Sequence, residues 1–223
     1  FVERVEYKEP ADVQSISVNE AIATASNTKV NVKGVIAASL VNKVGFYLVD
    51  ETGGIAVTTT SAEMEKLSLG QEIVISGTKV TSVGGKDGQT AILDAEVLVN
   101  YYGKQDYSTA SFITDKTLAD LPIGEDSKSD AKATENIYTL TGQLLFEGDN
   151  FSSKLYVVAG DVKLLMYTSS AKQYDWLQAY ANQTVKMDLA LCNWNGQNVK
   201  GSILAIYDSQ TNTKLFNSLN FNY

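Results

Sequence analysis

Residues 45 to 57 read GFYLVDETGGIAV, two alternating runs separated by a polar turn. Successive side chains of a strand point to opposite faces, so period-two alternation commits a segment to a ribbon with an inner and an outer side. If Phe46, Leu48, Ile55 and Val57 fill a core, Tyr47, Val49 and Ala56 must point the other way. Asp50, Thr52 and Gly53 carry the turn chemistry between the runs. What the outward side is for becomes the functional question.

The neighbouring sequence supplies further strands. VNVKGVIA (30–37) alternates and is interrupted by Gly34, the pattern of a strand that bends sharply to enter two sheets. SAEMEKLSLG offers a helical turn or two with Met64 and Leu67 on one side. QEIVISGTKV is a fourth strand with Ile73 and Ile75 on one face and Val74 on the other. The glycine-rich loop SVGGKDGQ (82–89) leads into AILDAEVLV as the fifth. Ahead of them, residues 15–27 are expected to form a short helix lidding the barrel. Ser17 and Glu20 fit a capping box, Val18, Ile22 and Ala25 recur at helical spacing, and Asn27 is the stop. Five strands with a helix between the third and fourth is the oligonucleotide/oligosaccharide-binding (OB) order.

The second half repeats this pattern. A shift of 108 residues lays Gly34 on Gly142 and Val49 on Val157, and a shift of 111 lays Val74 on Val185 and Ile92 on Ile203. The difference falls in a longer helix, SAKQYDWLQAY, where Trp176 and Tyr180 share one face and are expected in the core. KTLADLPIG resembles a second leading helix, and GEDSKSDAKATE reads as a surface insertion or linker. The expected fold is all-β: two tandem OB-like five-stranded Greek-key barrels with short accessory helices, at residues 1–103 and 104–223.

Composition narrows the chemistry. A chain of 223 residues with 44% hydrophobic content suits two domains. Histidine is absent, which removes histidine bases, histidine metal sites and Ser-His-Asp or Cys-His systems together. The lone Cys192 excludes an intrachain disulfide and reads as a small buried apolar residue. Asp50 and Glu51 are adjacent carboxylates that diverge, and Glu125, Asp126, Asp130 and Glu135 lack the spacing and central glycine of an EF-hand. No phosphate loop, dinucleotide fingerprint or nucleophile elbow is present. No catalytic residue, metal or cofactor is therefore expected. The formal net charge of -8 sets a field that repels phosphate polymers. No apolar run approaches the ~20 residues that span a bilayer. A sequence beginning at Phe1 reads as a processed or truncated soluble portion.

VNVKGVI, GFYLVDETGGIAV, LSLGQEIVISG and AILDAEVLV, with the leading SVNEAIATA, resemble the OB-fold modules of bacterial secreted and surface proteins. Those modules often occur as tandem units in lipoproteins or beside extracellular nucleases. The resemblance covers about residues 15–100; TGQLL, SKLYVVAGDVKLL and TVKMDLAL carry a weaker echo of it. It implies an extracytoplasmic, non-catalytic module, lipid-anchored in the full-length protein, that binds single-stranded nucleic acid. A glycan or protein partner is the alternative reading, and an accessory domain of an extracellular hydrolase a further one. It also implies a ligand face on strands two and three: Lys33, Tyr47, Val49, Ala56 and Thr58, with Lys43 and Lys86 on the adjoining loops; Tyr47 either stacks on a ligand there or packs under a neighbouring element or the partner barrel. In the second unit Trp194, in the NWNG turn, either stacks on a base or sugar ring or plugs the barrel end.

Overall fold

The computed structural model describes residues 13–40, 43–86, 88–104, 116–123, 131–148, 154–167, 175–208 and 210–217. Glu125, Asp126 and Asp130, most of the GEDSKSDAKATE stretch and residues 170–174 of the longer helix lie outside the described residues.

Strands β1 (Thr28–Ser39), β2 (Gly45–Val49), β3 (Gly54–Thr58), β4 (Gln71–Val83) and β5 (Gln89–Lys104) close into a barrel in the order β1-β2-β3-β5-β4. β3 and β5 run parallel, and the other neighbours antiparallel. β1 serves both sides of the closure. It pairs with β4 from Thr28 to Val35 and with β2 from Val35 onward. Gly34 sits at this handover, where a Cβ would come within 2.8 Å of Leu48 Cγ and of the Val49 carbonyl oxygen. The glycine permits the bend that its place in the sequence suggests.

Helix α1 (Val18–Ala23) begins with the expected capping box. The Glu20 carboxylate accepts from Ser17 N at 2.8 Å, and Ser17 Oγ accepts from Glu20 N at 3.3 Å. The helix is shorter than expected. Thr24 is already extended, and Asn27, at φ 64°, lies in the turn that delivers the chain to β1. Asp50 ties this helix to the β2–β3 turn: Oδ2 accepts from Val18 N at 2.8 Å, while Oδ1 accepts from Thr52 N and Gly53 N. Helix α2 (Ser61–Met64) turns Met64 toward the first core, beside Leu67.

The second sheet comprises β6 (Ile137–Glu147), β7 (Lys154–Ala159), β8 (Val162–Tyr167), β9 (Thr184–Cys192), β10 (Lys200–Tyr207) and β11 (Lys214–Asn217). Its pairs repeat the first circuit: β6 with β7, β7 with β8, β8 parallel to β10, β10 with β9, and β9 back to β6. β11 pairs with Ala205–Tyr207 of β10, beyond Gly201 and Ser202, which pair with β8. KTLADLPIG forms only a single 3-10 turn, Leu118–Asp120.

Register makes the correspondence of positions explicit. Tyr47 lies opposite Ala56, and Tyr156 opposite Leu165; Leu48 lies opposite Ile55, and Val157 opposite Leu164. Tyr156 is therefore the second unit's counterpart of Tyr47. The sequence alignment slips by one residue in the second strand, where Leu48 and not Val49 matches Val157, by two in the fifth, where Gly201 and not Ile203 matches Ile92, and by one in the fourth. Ile73 is opposite Gly34 and Val185 is opposite Gly142, so Ile73, and not Val74, matches Val185. A one-residue slip reverses every side chain, and the observed match keeps both residues in their cores.

Phe46, Leu48, Ile55, Val57, Ile73, Ile75 and Ile92 fill the first barrel. Leu144, Leu155, Val157, Leu164, Met166, Met187 and Leu189 fill the second. A third cluster joins them: Val35, Ala37, Tyr47, Val49, Ala56 and Ala91 of the first barrel meet Ile137, Ala190, Cys192 and Leu204 of the second. Polar bonds edge this seam. Asn193 N donates to Gln89 Oε1 at 3.1 Å, Thr90 N to Thr134 Oγ1 at 2.8 Å, and Thr90 Oγ1 to Glu135 Oε1 at 3.0 Å. The two fourth-to-fifth-strand connections also abut. Gly84 (φ 87°) and Gly196 (φ 67°) are placed so that a Cβ on the first would run into the Trp194 carbonyl oxygen, and a Cβ on the second into the Gly84 oxygen.

Candidate functional site

The residues expected on the first barrel's ligand face separate into two groups. Tyr47, Val49 and Ala56 do point outward from the barrel, as the alternation requires, but the second barrel covers them. Their exposures are 2%, 0% and 0%. The Tyr47 hydroxyl lies 3.0 Å from Cys192 Sγ across the seam. Burial raises the Tyr47 hydroxyl well above its ordinary value and pushes the Cys192 thiol up to about 12, so both stay protonated at neutral pH. An open platform at these three residues is thus corrected: they are the first barrel's half of an apolar seam, and no strand of nucleic acid can lie on them.

Lys33 remains at the surface, paired with Glu72 at 3.3 Å and lying 4.8 Å from the Tyr101 ring centre. Lys86 is exposed on the β4–β5 connection, where its carbonyl accepts from Ser82 Oγ. Lys43, Thr58 and Trp194, by contrast, converge. With Val44, Thr59, Val83, Leu93 and Asp94 they line an open cleft of about 300 Å³ at the junction of the barrels. Lys43 Nζ stands 5.9 Å from the Trp194 ring centre. Trp194 is half-buried and packs on the seam. Trp176 and Tyr180 touch at 4.9 Å between ring centres and pack on the second core, where the helical spacing placed them.

Among the described residues, the corresponding face of the second barrel is only partly covered, with Tyr167 packed against the seam, and none of its residues was expected to bind a ligand. Leu155, Val157, Leu164 and Met166 point into the core. Tyr156, Leu165 and Tyr167 therefore point out, half-buried, with Lys154 and Lys163 exposed beside them. Two tyrosines here sit under lysines: Lys163 Nζ is 3.9 Å from the Tyr156 ring centre, and Lys200 Nζ is 4.5 Å from that of Tyr167. Lys163 also pairs with Glu147 on β6, and that hydrogen bond holds the Glu147 carboxyl below the usual carboxylate range. The signal was present in KLYVVA and VKLLMY, where lysine alternates with large apolar residues.

Among the described residues, no group of three or more His, Cys, Asp or Glu side chains is placed to hold a metal, and no helix is long and apolar enough to cross a membrane.

No family model matches the chain, and no curated protein matches it. Solved structures do. One is a chain from work on structural mimicry for functional antagonism, with a TM-score of 0.41 at 11% identity over 80% of this chain and 90% of that one. Another is a replication protein A heterotrimer bound to ssDNA, with a TM-score of 0.29 at 10% identity over 89% of this chain and 70% of that one.

Proposed function

We propose that this chain is a tandem of OB-like barrels acting as a non-catalytic binding module for single-stranded nucleic acid, with the ligand seated on β7 and β8 of the second barrel. The observation that carries this reading is the pair of half-buried tyrosines, Tyr156 and Tyr167, each with a lysine ammonium over its ring. Single-strand binders combine stacking surfaces for bases with cations that follow the phosphates. Lys154, Lys163 and Lys200 supply local positive charge on a molecule whose net charge is -8, so attraction is confined to this face. Glu147 works against it by competing with phosphate for Lys163. The first barrel's role is to fix the second, through the seam, as one unit. The resemblance seen in the sequence adds an extracytoplasmic, surface-anchored setting to the proposal.

The test is a fluorescence-anisotropy titration of a labelled single strand about 20 nucleotides long, at low and moderate salt. Tyr156→Ala should weaken binding by ~1–3 kcal/mol, the worth of one stacked base, and Glu147→Gln should strengthen it. Tyr47→Phe, a conservative change in the seam, should leave it unchanged. An absence of binding at low salt, where attraction is greatest, would sink the proposal.

A further inference from the structure

The junction cleft has a different chemistry from the β7–β8 face. Its floor is one tryptophan with Val44, Val83 and Leu93, and its polar groups are of mixed sign: Lys43, Asp94, Thr58 and Thr59. Among the described residues, no ion pair or hydrogen bond engages the Asp94 carboxylate; only its backbone is held, by Asp94 N donating to Thr58 Oγ1 at 3.2 Å. Thr58 Oγ1 keeps its own proton to donate. The Trp194 Nε1–H is enclosed and has no acceptor among the described residues. A buried indole N–H ordinarily finds one. A ring with one apolar face and hydroxyls around its edge answers the indole face, the Asp94 carboxylate, Lys43 and Thr58; the enclosed Trp194 Nε1–H lies out of its reach. Its C–H face lies on the indole, one hydroxyl donates to Asp94, and others accept from Lys43 and Thr58. A phosphate chain fits worse, because the cleft offers a single lysine and sets a carboxylate in the same lining.

We infer that the junction cleft formed by Trp194, Lys43, Thr58 and Asp94 is a second ligand site, and that it takes a neutral saccharide unit. This site draws on both barrels: Trp194 comes from the β9–β10 turn of the second, and the other three from the first. It exists only because the seam holds the barrels together. A volume of about 300 Å³ is at the small end of ligand sites and suits one or two sugar rings, not a long chain.

The chain has two tryptophans, so isotope-labelled protein should show one indole N–H resonance each for Trp176 and Trp194, assigned with Trp194→Phe. The probes are methyl glycosides and neutral di- and trisaccharides of hexoses and N-acetylhexosamines, titrated to about 10 mM, where even a weak site near 1 mM would fill. The expected result is a saturable shift of the Trp194 resonance with at least one probe, a still Trp176 resonance, and the same affinity at low and moderate salt. Asp94→Asn should weaken that binding about tenfold, the loss of one charge-assisted hydrogen bond. Asparagine accepts the left-handed backbone that Asp94 adopts at φ 52°, so this variant keeps the fold. A Trp194 resonance that stays still through the whole panel overturns the inference. So does a shift produced only by a single-stranded oligonucleotide, or one that survives both Asp94→Asn and Lys43→Ala.

Discussion

Tyr47 and Tyr156 occupy the same place in two strand circuits of the same order, each on the outward side of the second strand. One is 2% exposed under a second barrel; the other is half-buried beneath a lysine. The difference lies in their neighbours. Around Tyr47 the outward set is Val35, Ala37, Val49, Ala56 and Ala91, small and uncharged. Around Tyr156 it is Lys154, Val158, Lys163, Leu165 and Tyr167. Small apolar residues allow a second barrel to approach closely, whereas lysines keep their ammonium groups in water. The same pattern has thus been used once to join two domains and once to leave rings and charges half-exposed.

The sharpest way to break this comparison is to place a carboxylate at each tyrosine. Tyr47→Asp would bury a charge opposite Cys192 and Ala190 with no cation to meet it, and should cost about 3–5 kcal/mol, the scale for an uncompensated buried charge. Tyr156→Asp meets water and lysines, and should lie within about 1 kcal/mol of the parent. Urea unfolding of the two variants decides it. Equal losses would mean that the seam is not the apolar contact described here.

Alkali should find the seam next. The Cys192 thiol is raised from its ordinary 9.0 to about 12 in the folded chain, and the Tyr47 hydroxyl is raised from 10.0 as well. Above pH 9 the unfolded chain loses the thiol proton while the folded chain keeps it, so the unfolded state binds fewer protons and stability falls as pH rises. This contribution is intact below pH 9. It declines between about 9 and 12 by ~1.4 kcal/mol per unit for the thiol, and more steeply above 10, where Tyr47 joins. Denaturation curves from pH 8 to 11 should show the decline, and Tyr47→Phe should flatten its steeper part. A thiol reagent at pH 8 should leave Cys192 untouched in the folded chain and modify it once the chain unfolds.

Period-two alternation sorted Phe46, Leu48, Ile55 and Val57 inward and Tyr47, Val49 and Ala56 outward, because side-chain direction in a strand is a local property of the backbone. What covers the outward side is not local. Yet GFYLV and GIAV contain no charged residue, and strands buried on both faces read as such unbroken apolar runs. That cue points to a covered face, the arrangement in which Tyr47 packs under the partner barrel. The cleft was legible in pieces, as Lys43, Thr58 and Trp194, but Asp94 was read only as a strand residue. Its approach to Trp194 depends on how two barrels dock, which no spacing within one strand records.

The docking of the loops offers a smaller but cleaner contrast. Gly84 and Gly160 both hold positive φ, 87° and 58°. A Cβ at Gly160 would meet nothing within 4 Å, whereas one at Gly84 would strike the Trp194 backbone. Gly160→Ala should therefore cost only the ~1 kcal/mol of left-handed backbone strain, and Gly84→Ala that amount plus the displacement of the NWNG turn, about 2–3 kcal/mol altogether. Displacing the turn also moves Trp194, so Gly84→Ala should shift its indole resonance while Gly160→Ala leaves it in place.

The smallest effect concerns charge on the open face. If Lys163 and Lys200 track phosphates, replacing either with alanine should weaken single-strand binding about equally for any base sequence, and should reduce the dependence of log affinity on log salt by about 1. Lys33→Ala serves as the control, since that lysine lies on the first barrel and is paired with Glu72. A salt slope that falls as much for Lys33→Ala as for Lys163→Ala would spread binding over the whole surface and erase the distinction between the two barrels. A slope that falls for Lys163→Ala and Lys200→Ala but not for Lys33→Ala would leave the second barrel as the phosphate-tracking one, and the first as the piece that holds it in place.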